Sequence, residues 1–207
     1  MLLSVKSGNS GKVHISIDGE YCMTVDGGFW RSLALPDRCE IDEAQLEEIS
    51  ALVNGRRAYN RGIDLLSRRD HSRAELVRKL NEKGFADSSE AAAELLCENG
   101  YLNDARFAEN YARELLERKG MGKKRIAAEL HKKGVSREDV YAALDKLEVD
   151  AEEQIIHLLE TKFSRLPTDE KGLKKRFNAL VRLGYSPSDV SRAMRSFDFD
   201  TETDLIY

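Results

Sequence analysis

Three glycines, Gly84, Gly134 and Gly184, stand 50 residues apart, and the residues around them keep the same interval. Leu66, Leu116 and Leu166 repeat in phase with them, as do Leu80, Leu130 and Leu180, and Ala93, Ala143 and Ala193. Each glycine is followed by a bulky side chain, Phe85, Val135 or Tyr185. A glycine just past a helix takes the left-handed conformation that ends it, and the apolar residue that follows folds back on the helix. One such series arises easily by chance; four in phase do not. The spacing predicts three tandem units of about three helices each, with Leu80, Leu130 and Leu180 in buried seams. The competing reading is a single irregular helical bundle with accidental spacing.

Ahead of the repeats the hydrophobic period is two. Val13, Ile15 and Ile17 alternate with polar residues, as do Tyr21, Met23 and Val25, and Asp18-Gly19 between them suits a tight hairpin turn. Leu3 and Val5 offer a further strand before Gly8-Asn9-Ser10-Gly11. So small a β-hairpin or meander must pack on something else to be stable. After Pro36 the period becomes helical: Asp42 and Gln45 fit a capping box, and Leu46, Ile49 and Val53 follow at helical spacing. Ser72 and Glu75 fit a second box. Asp87 to Glu90, Asn103 or Asp104, Ser136, and Ser186-Pro187 mark later helix starts. The expected fold is mainly α, with a β extension over 1–35, a connecting helix over 36–57, three-helix repeats over 58–104, 105–149 and 150–199, and an acidic tail over 200–207.

The composition agrees. Charged residues make up 34 % of the 207 and aromatics 7 %, which suits helices with wide solvated faces. Three cysteines, Cys22, Cys39 and Cys97, with no C-x-x-C pair, read as free thiols in a reducing compartment. The N-terminus lacks the apolar core of a signal peptide, and no stretch approaches the roughly 20 apolar residues of a membrane span. A cytoplasmic protein with no membrane contact is expected.

The segment "GMGKKR" (120–125) raises the question of a phosphate cradle. A P-loop needs G-x-x-x-x-G-K followed by Ser or Thr, between a strand and a helix. Here a helix precedes, the spacing differs, and Lys124 stands where the hydroxyl belongs. An interhelical turn followed by a solvated basic face fits better, although a single anion at that helix start remains compatible. His14, His71, His131 and His157 are scattered without metal-ligand spacing and read as surface residues. No G-x-S-x-G or H-E-x-x-H occurs. The chain reads as a non-enzyme with no cofactor and no metal.

The informative chemistry is cationic. The net charge is −4, which argues against a generic polyanion binder, but base is clustered. Arg68, Arg69, Arg73, Arg78, Lys79 and Lys83 lie in the first unit. Arg118, Lys119, Lys123, Lys124, Arg125, Lys132 and Lys133 lie in the second, and Lys171, Lys174, Lys175, Arg176 and Arg182 in the third. Repetition would align them into a stripe able to follow a phosphate backbone or an acidic protein groove. Ordinary solvated helix faces are the competing reading. Acid collects between them, at 37–48, 138–153 and 198–204.

These residues resemble the RecX family, bacterial regulatory proteins of RecA recombinase, over nearly the whole chain. The resemblance rests on "SRAELVRKLNEKGF" (72–85), "GYLNDARFAENY" (100–111), "KGMGKKRIAAELHKKGV" (119–135) and "FNALVRLGYSPSDVSRAM" (177–194); the middle pair is the most specific. "IDGEYCMTV" (17–25) is similar to the β-containing extension of some members. The resemblance implies tandem three-helix repeats in a curved, elongated array, and a non-enzymatic modulator that lodges in the groove of RecA filaments on DNA. Inhibition of ATP hydrolysis, strand exchange and coprotease activity follows from it, with a monomer as the expected state. Direct contact with single- or double-stranded DNA stays open. The alternative is a stand-alone nucleic-acid-binding helical repeat. The third unit departs from the others at Leu183, where Lys83 and Lys133 stand in the first two, so the basic stripe is expected to fade toward the C-terminus.

Overall fold

The computed structural model describes residues 1–148 and 150–197, so the acidic tail expected over 200–207 lies outside the described residues. The described residues divide into two compact units, one of residues 1–64 and 80–96, the other of residues 65–79, 97–148 and 150–197.

In the first unit, strands β1 (Leu2–Ser7), β2 (Lys12–Ile17), β3 (Glu20–Asp26) and β4 (Arg38–Glu40) form an antiparallel sheet in the order β3-β2-β1-β4. Asp18 (φ 50°) and Gly19 (φ 88°) make the hairpin turn anticipated from their pairing. The Asp18 carboxylate also accepts the Leu2 amide at 2.6 Å, tying the turn to the start of β1. β4 was not expected: it falls inside the segment assigned to the connecting helix. Three residues are too few to show a period of two, and pairing with β1, not local pattern, makes them a strand. Helix α1 (Gly27–Ser32) brings Trp30 onto Leu3, Ile15 and Val25, and Ile49 and Val53 of α2 (Glu43–Leu66) complete that core. The Asp42–Gln45 box forms in both directions, at 2.8 and 3.0 Å. α2 runs unbroken through Gly55, Gly62 and the boundary expected at residue 57.

The remaining helices are α3 (Arg73–Asn81), α4 (Ser89–Glu98), α5 (Asp104–Lys119), α6 (Lys123–Lys132), α7 (Arg137–Asp145), α8 (Ala151–Thr161), α9 (Glu170–Arg182) and α10 (Pro187–Ser196). Within the second unit α5, α6 and α7 enclose Phe107, Ala112, Leu115, Ile126, Leu130, Val140 and Ala143. α8, α9 and α10 enclose Ile155, Leu159, Leu180, Tyr185, Val190 and Ala193. Asn103, Ser136 and Ser186 each accept the backbone N–H three residues on, as their helix-start positions require.

The 50-residue interval is one hydrogen-bonded turn made three times. Gly84, Gly134 and Gly184 have φ of 84°, 76° and 98°. The amides of Phe85, Val135 and Tyr185 donate to the carbonyls of Leu80, Leu130 and Leu180 at 3.1, 3.2 and 3.3 Å, and the glycine amides donate to Asn81, His131 and Val181. This is the six-to-one and five-to-two pairing of a Schellman turn. Leu80, Leu130 and Leu180 are fully buried.

Two of these turns also join helices end to end within the second unit. The Lys133 carbonyl accepts the Ser72 hydroxyl at 2.5 Å, and Gly134 sits on Ala74 so closely that a Cβ there would overlap it. The Leu183 carbonyl accepts the Gly122 amide at 2.8 Å, and a Cβ on Gly184 would stand 2.5 Å from the Arg125 nitrogen. In both joints the carbonyl end of one helix meets the start of another and the dipole ends are opposed; the donor is a cap side chain at the first joint and a backbone amide at the second.

Leu130→Ala is expected to cost roughly 2–5 kcal/mol in a urea melt, while Lys132→Ala, on an exposed position, changes it little. Equal small effects would refute the helical phase.

Candidate functional site

"GMGKKR" is a joint. Gly120 is left-handed (φ 63°) and faces Leu158, and Gly122 caps α6 in an extended conformation with its amide already engaged by Leu183. The Tyr185 hydroxyl donates to the Gly120 carbonyl at 3.3 Å, and burial pushes that phenol up to about 12. The Gly122 amide, held by Leu183, is not free to cradle a phosphate. Among the described residues no group of three or more His, Cys, Asp and Glu is placed to hold a metal ion.

The structure sorts the expected cations into those already ion-paired and those facing solvent. Arg69, in the turn after α2, pairs with Glu75 at 2.7 Å, and Lys133 reaches the same carboxylate at 3.3 Å with its Nζ 5.7 Å from the Tyr111 ring centre. Arg118 meets Glu114 at 3.4 Å; Arg125 and Lys132 share Glu129 at 2.9 and 3.2 Å. Arg73 and Lys79 are half-buried on α3, and the Arg73 amide bonds the Asp104 carboxylate at 2.7 Å. Arg68, Lys83, Lys119, Lys123, Lys124, Lys171, Lys174 and Lys175 are exposed and make no ion pair among the described residues. Lys123 and Lys124, with Asp189, rim a largely apolar hollow of about 460 Å³ floored by Leu116, Val181 and Tyr185. Lys119 and Arg118 share a smaller one, about 270 Å³, with Lys162 and His157. Lys171, Lys174 and Lys175 form a separate group on α9.

Three expectations need correction. Arg176 is 2 % exposed and donates to the carbonyls of Leu166 and Pro167, so it is no surface contact. Its register explains this: Leu76 and Ile126, at the same phase of the earlier units, are core residues. His71 is likewise buried, at 4 %, with Nδ1 3.3 Å from Glu75. Glu75, expected to close a capping box, turns its carboxylate to Arg69, His71 and Lys133 instead; the Ser72 half of the box forms at 3.2 Å. Lys162 lines the smaller hollow with Arg118 and Lys119, and no cluster in the sequence marks it.

Residues 103–144 match the RecX second three-helix domain, and residues 58–93 the first. The regulatory protein RecX of Pseudomonas fluorescens Pf-5 is 36 % identical over 140 residues, 67 % of this chain and 90 % of that protein. That of Stenotrophomonas maltophilia R551-3 is 38 % identical over 137 residues, 65 % of this chain and 83 % of that protein. The chain belongs to the RecX family. The fold agrees: a crystal structure of regulatory protein RecX superposes with a TM-score of 0.72 at 23 % identity, covering 93 % of this chain and 98 % of the other. RecX from Lactobacillus salivarius superposes at 0.59, also at 23 % identity, over 69 % of this chain and 96 % of that one. No helix among the described residues is long and apolar enough to cross a membrane.

In this RecX chain the Glu75 cluster is an electrostatic fastener of the first joint. Burial pushes the Glu75 carboxyl up, but hydrogen bonds from Arg69 and Lys133 and their charges outweigh it and hold the group at about 2. Burial, then the charge of Arg69, pushes His71 below its ordinary value, so it is neutral at pH 7. Both folded values lie under the unfolded ones, so both stabilise at high pH. The His71 contribution is complete above about 6.5 and is lost as pH falls below that. The Glu75 contribution is complete above 4.5 and is lost toward 2. Glu75→Gln is expected to cost about 1.5–3 kcal/mol at pH 7 and to flatten the pH dependence of urea stability between 4.5 and 2. An unchanged slope in that window would show that the cluster does not hold the joint.

Proposed function

We propose that this chain is a non-catalytic regulator of RecA that binds RecA filaments on DNA, seats in the filament groove, and slows ATP hydrolysis, strand exchange and coprotease activity. Kinship with RecX regulatory proteins over about nine-tenths of a relative's length carries the reading. The proposed organisation is three helical units, at 58–104, 105–149 and 150–199, acting as a monomer in the cytoplasm. The contact chemistry comes from Lys119, Lys123 and Lys124. They sit at the end of α5 and the start of α6, beside a turn whose backbone is fixed by Leu183 and Tyr185. Rigid backbone under ammonium groups that make no ion pair among the described residues costs little ordering on binding. A clamp across the groove would oppose the subunit movements that accompany turnover.

The second reading, binding to nucleic acid without RecA, draws on the same lysines and on Lys171, Lys174 and Lys175, because unpaired Lys side chains serve phosphate as well as carboxylate.

The test compares wild type with the Lys119/Lys123/Lys124→Glu variant. Arg125 is left in place because it pairs with Glu129 and abuts Gly184. Wild type is expected to inhibit RecA ATPase on single-stranded DNA at sub-stoichiometric amounts. The variant, equally folded by circular dichroism, is expected to bind the filament about tenfold or more weakly through lost charge complementarity. If the lysines touch phosphates, the slope of log affinity against log salt on bare DNA flattens by about 0.7–0.9 per contact. Wild type that neither inhibits nor binds the filament sinks the RecA reading.

A further inference from the structure

The two joints of the second unit share one construction. A Schellman turn supplies a carbonyl and a Cβ-free glycine; a helix start supplies a donor and a close backbone. At the first joint these are Lys133 and Gly134 against Ser72 and Ala74, with the Lys133 ammonium pairing to Glu75 in the first turn of α3. At the second they are Leu183 and Gly184 against Gly122 and Arg125. The chain makes this turn a third time, at Lys83-Gly84-Phe85, with the same hydrogen bonds and the same left-handed glycine. There no helix among the described residues receives the turn. A Cβ on Gly84 would meet nothing within 4 Å, Lys83 and Gly84 are exposed, and Lys83 makes no ion pair among the described residues.

We infer that the Lys83-Gly84-Phe85 turn is a docking element for the N-terminus of a helix in a partner protein, one that starts Ser or Thr, then two residues, then Glu. The partner's cap hydroxyl donates to the Lys83 carbonyl, as Ser72 does to Lys133. Its residue after the next packs on the bare face of Gly84, as Ala74 does on Gly134, and so must be small. Its first-turn glutamate pairs with the Lys83 ammonium, as Glu75 does with Lys133.

The Ser-capped and repeat-equivalent helix starts of this chain are all engaged, so a second copy does not supply the helix: the hydroxyls of Ser136 and Ser186 already donate to the carboxylates of Asp139 and Asp189 at 2.8 and 2.6 Å. The start of α3 is held by Lys133, and the start of α6 by Leu183. The start of α9 is closed by its own chain: a Cβ on Gly172 would overlap the Pro167 carbonyl, the Gly172 amide bonds Asp169 at 2.7 Å, and Arg176 holds the carbonyls of Leu166 and Pro167. The position that a further turn would occupy on the last unit is filled, which stops head-to-tail growth and leaves the open turn for a foreign helix. The inference stands on the joints alone, whichever protein supplies the helix.

The probe is a peptide of residues 70–82 of this chain, acetylated and stapled between positions 77 and 81 to hold the helix. It presents Ser72, Ala74 and Glu75 with a free helix start. Titrated into the ¹⁵N-labelled full chain, it is expected to shift the Lys83, Gly84 and Phe85 amides. Gly84→Asn tolerates the left-handed backbone and puts its Cβ into open space, so its melting temperature should match wild type. Through the clash it presents to the peptide, it is expected to weaken binding by about tenfold or more. The same substitution at Gly134, which has no room, must lower the melting temperature. Lys83→Glu is expected to weaken the peptide, and a Glu75→Lys peptide to recover binding to Lys83→Glu. The inference is overturned by silence at 83–85 up to millimolar peptide, by equal binding to Gly84→Asn, or by shifts confined to 133–135. Self-association of the chain through 83–85 would equally refute a foreign partner.

Discussion

The contact on which residues 65–79 and 97–197 depend is a left-handed glycine turn pressed against the start of another helix. Each end of a helix leaves backbone groups without partners, and these joints let two ends solve each other's problem. Ser72 and Gly122 donate; Lys133 and Leu183 accept. The approach is possible only because Gly134 and Gly184 carry no Cβ, and at the second joint Gly122 is also bare where the 184 carbonyl passes. The stacked helices are therefore fixed end to end by backbone as well as by side-chain packing, so the turn at 120–122 is held from both Leu183 and Tyr185.

That geometry sorts the cations into those held within the chain and those facing solvent. Arg69, Lys133, Arg125 and Lys132 are ion-paired within the chain, and Arg176 is buried against carbonyls. Of the expected cations, those exposed and without an ion pair among the described residues include Arg68, Lys83, Lys119, Lys123 and Lys124, and Lys171, Lys174 and Lys175 on α9. The departure of the third unit at Leu183 shows in how the two joints are fastened. Lys133 fastens its joint partly through Glu75, whereas Leu183 contributes its backbone carbonyl to the second joint.

How much of this was legible in the sequence follows the range of the interactions. The Schellman turns were legible because each demands particular residues within six positions, and Leu80-to-Phe85 chemistry written three times becomes a visible period. The hairpin at Asp18-Gly19 and the Asp42–Gln45 box were legible for the same reason. The joints were not, because Ser72 and Lys133 are 61 residues apart, and nothing local marks either as a partner. β4 escaped because a three-residue strand is defined by β1. The burial of His71 and the turning of Glu75 toward Arg69 and Lys133 escaped because an S-x-x-E pattern reads as a cap whether or not cations stand nearby. Arg176 stands in a run of basic residues and so reads as surface, although its phase with Leu76 and Ile126 marks a core position.

The most direct test of the joint is hydrogen exchange at one amide. The Gly122 N–H is the cap residue of α6, outside the helix's own ladder, and exchanges at close to the rate of an open chain unless the Leu183 carbonyl holds it. The structure requires it to be protected to the same order as the Leu130 amide in the core of that helix. Exchange of Gly122 at the unprotected rate, with Leu130 still slow, would show that the helices are not joined end to end and would contradict the account at its base.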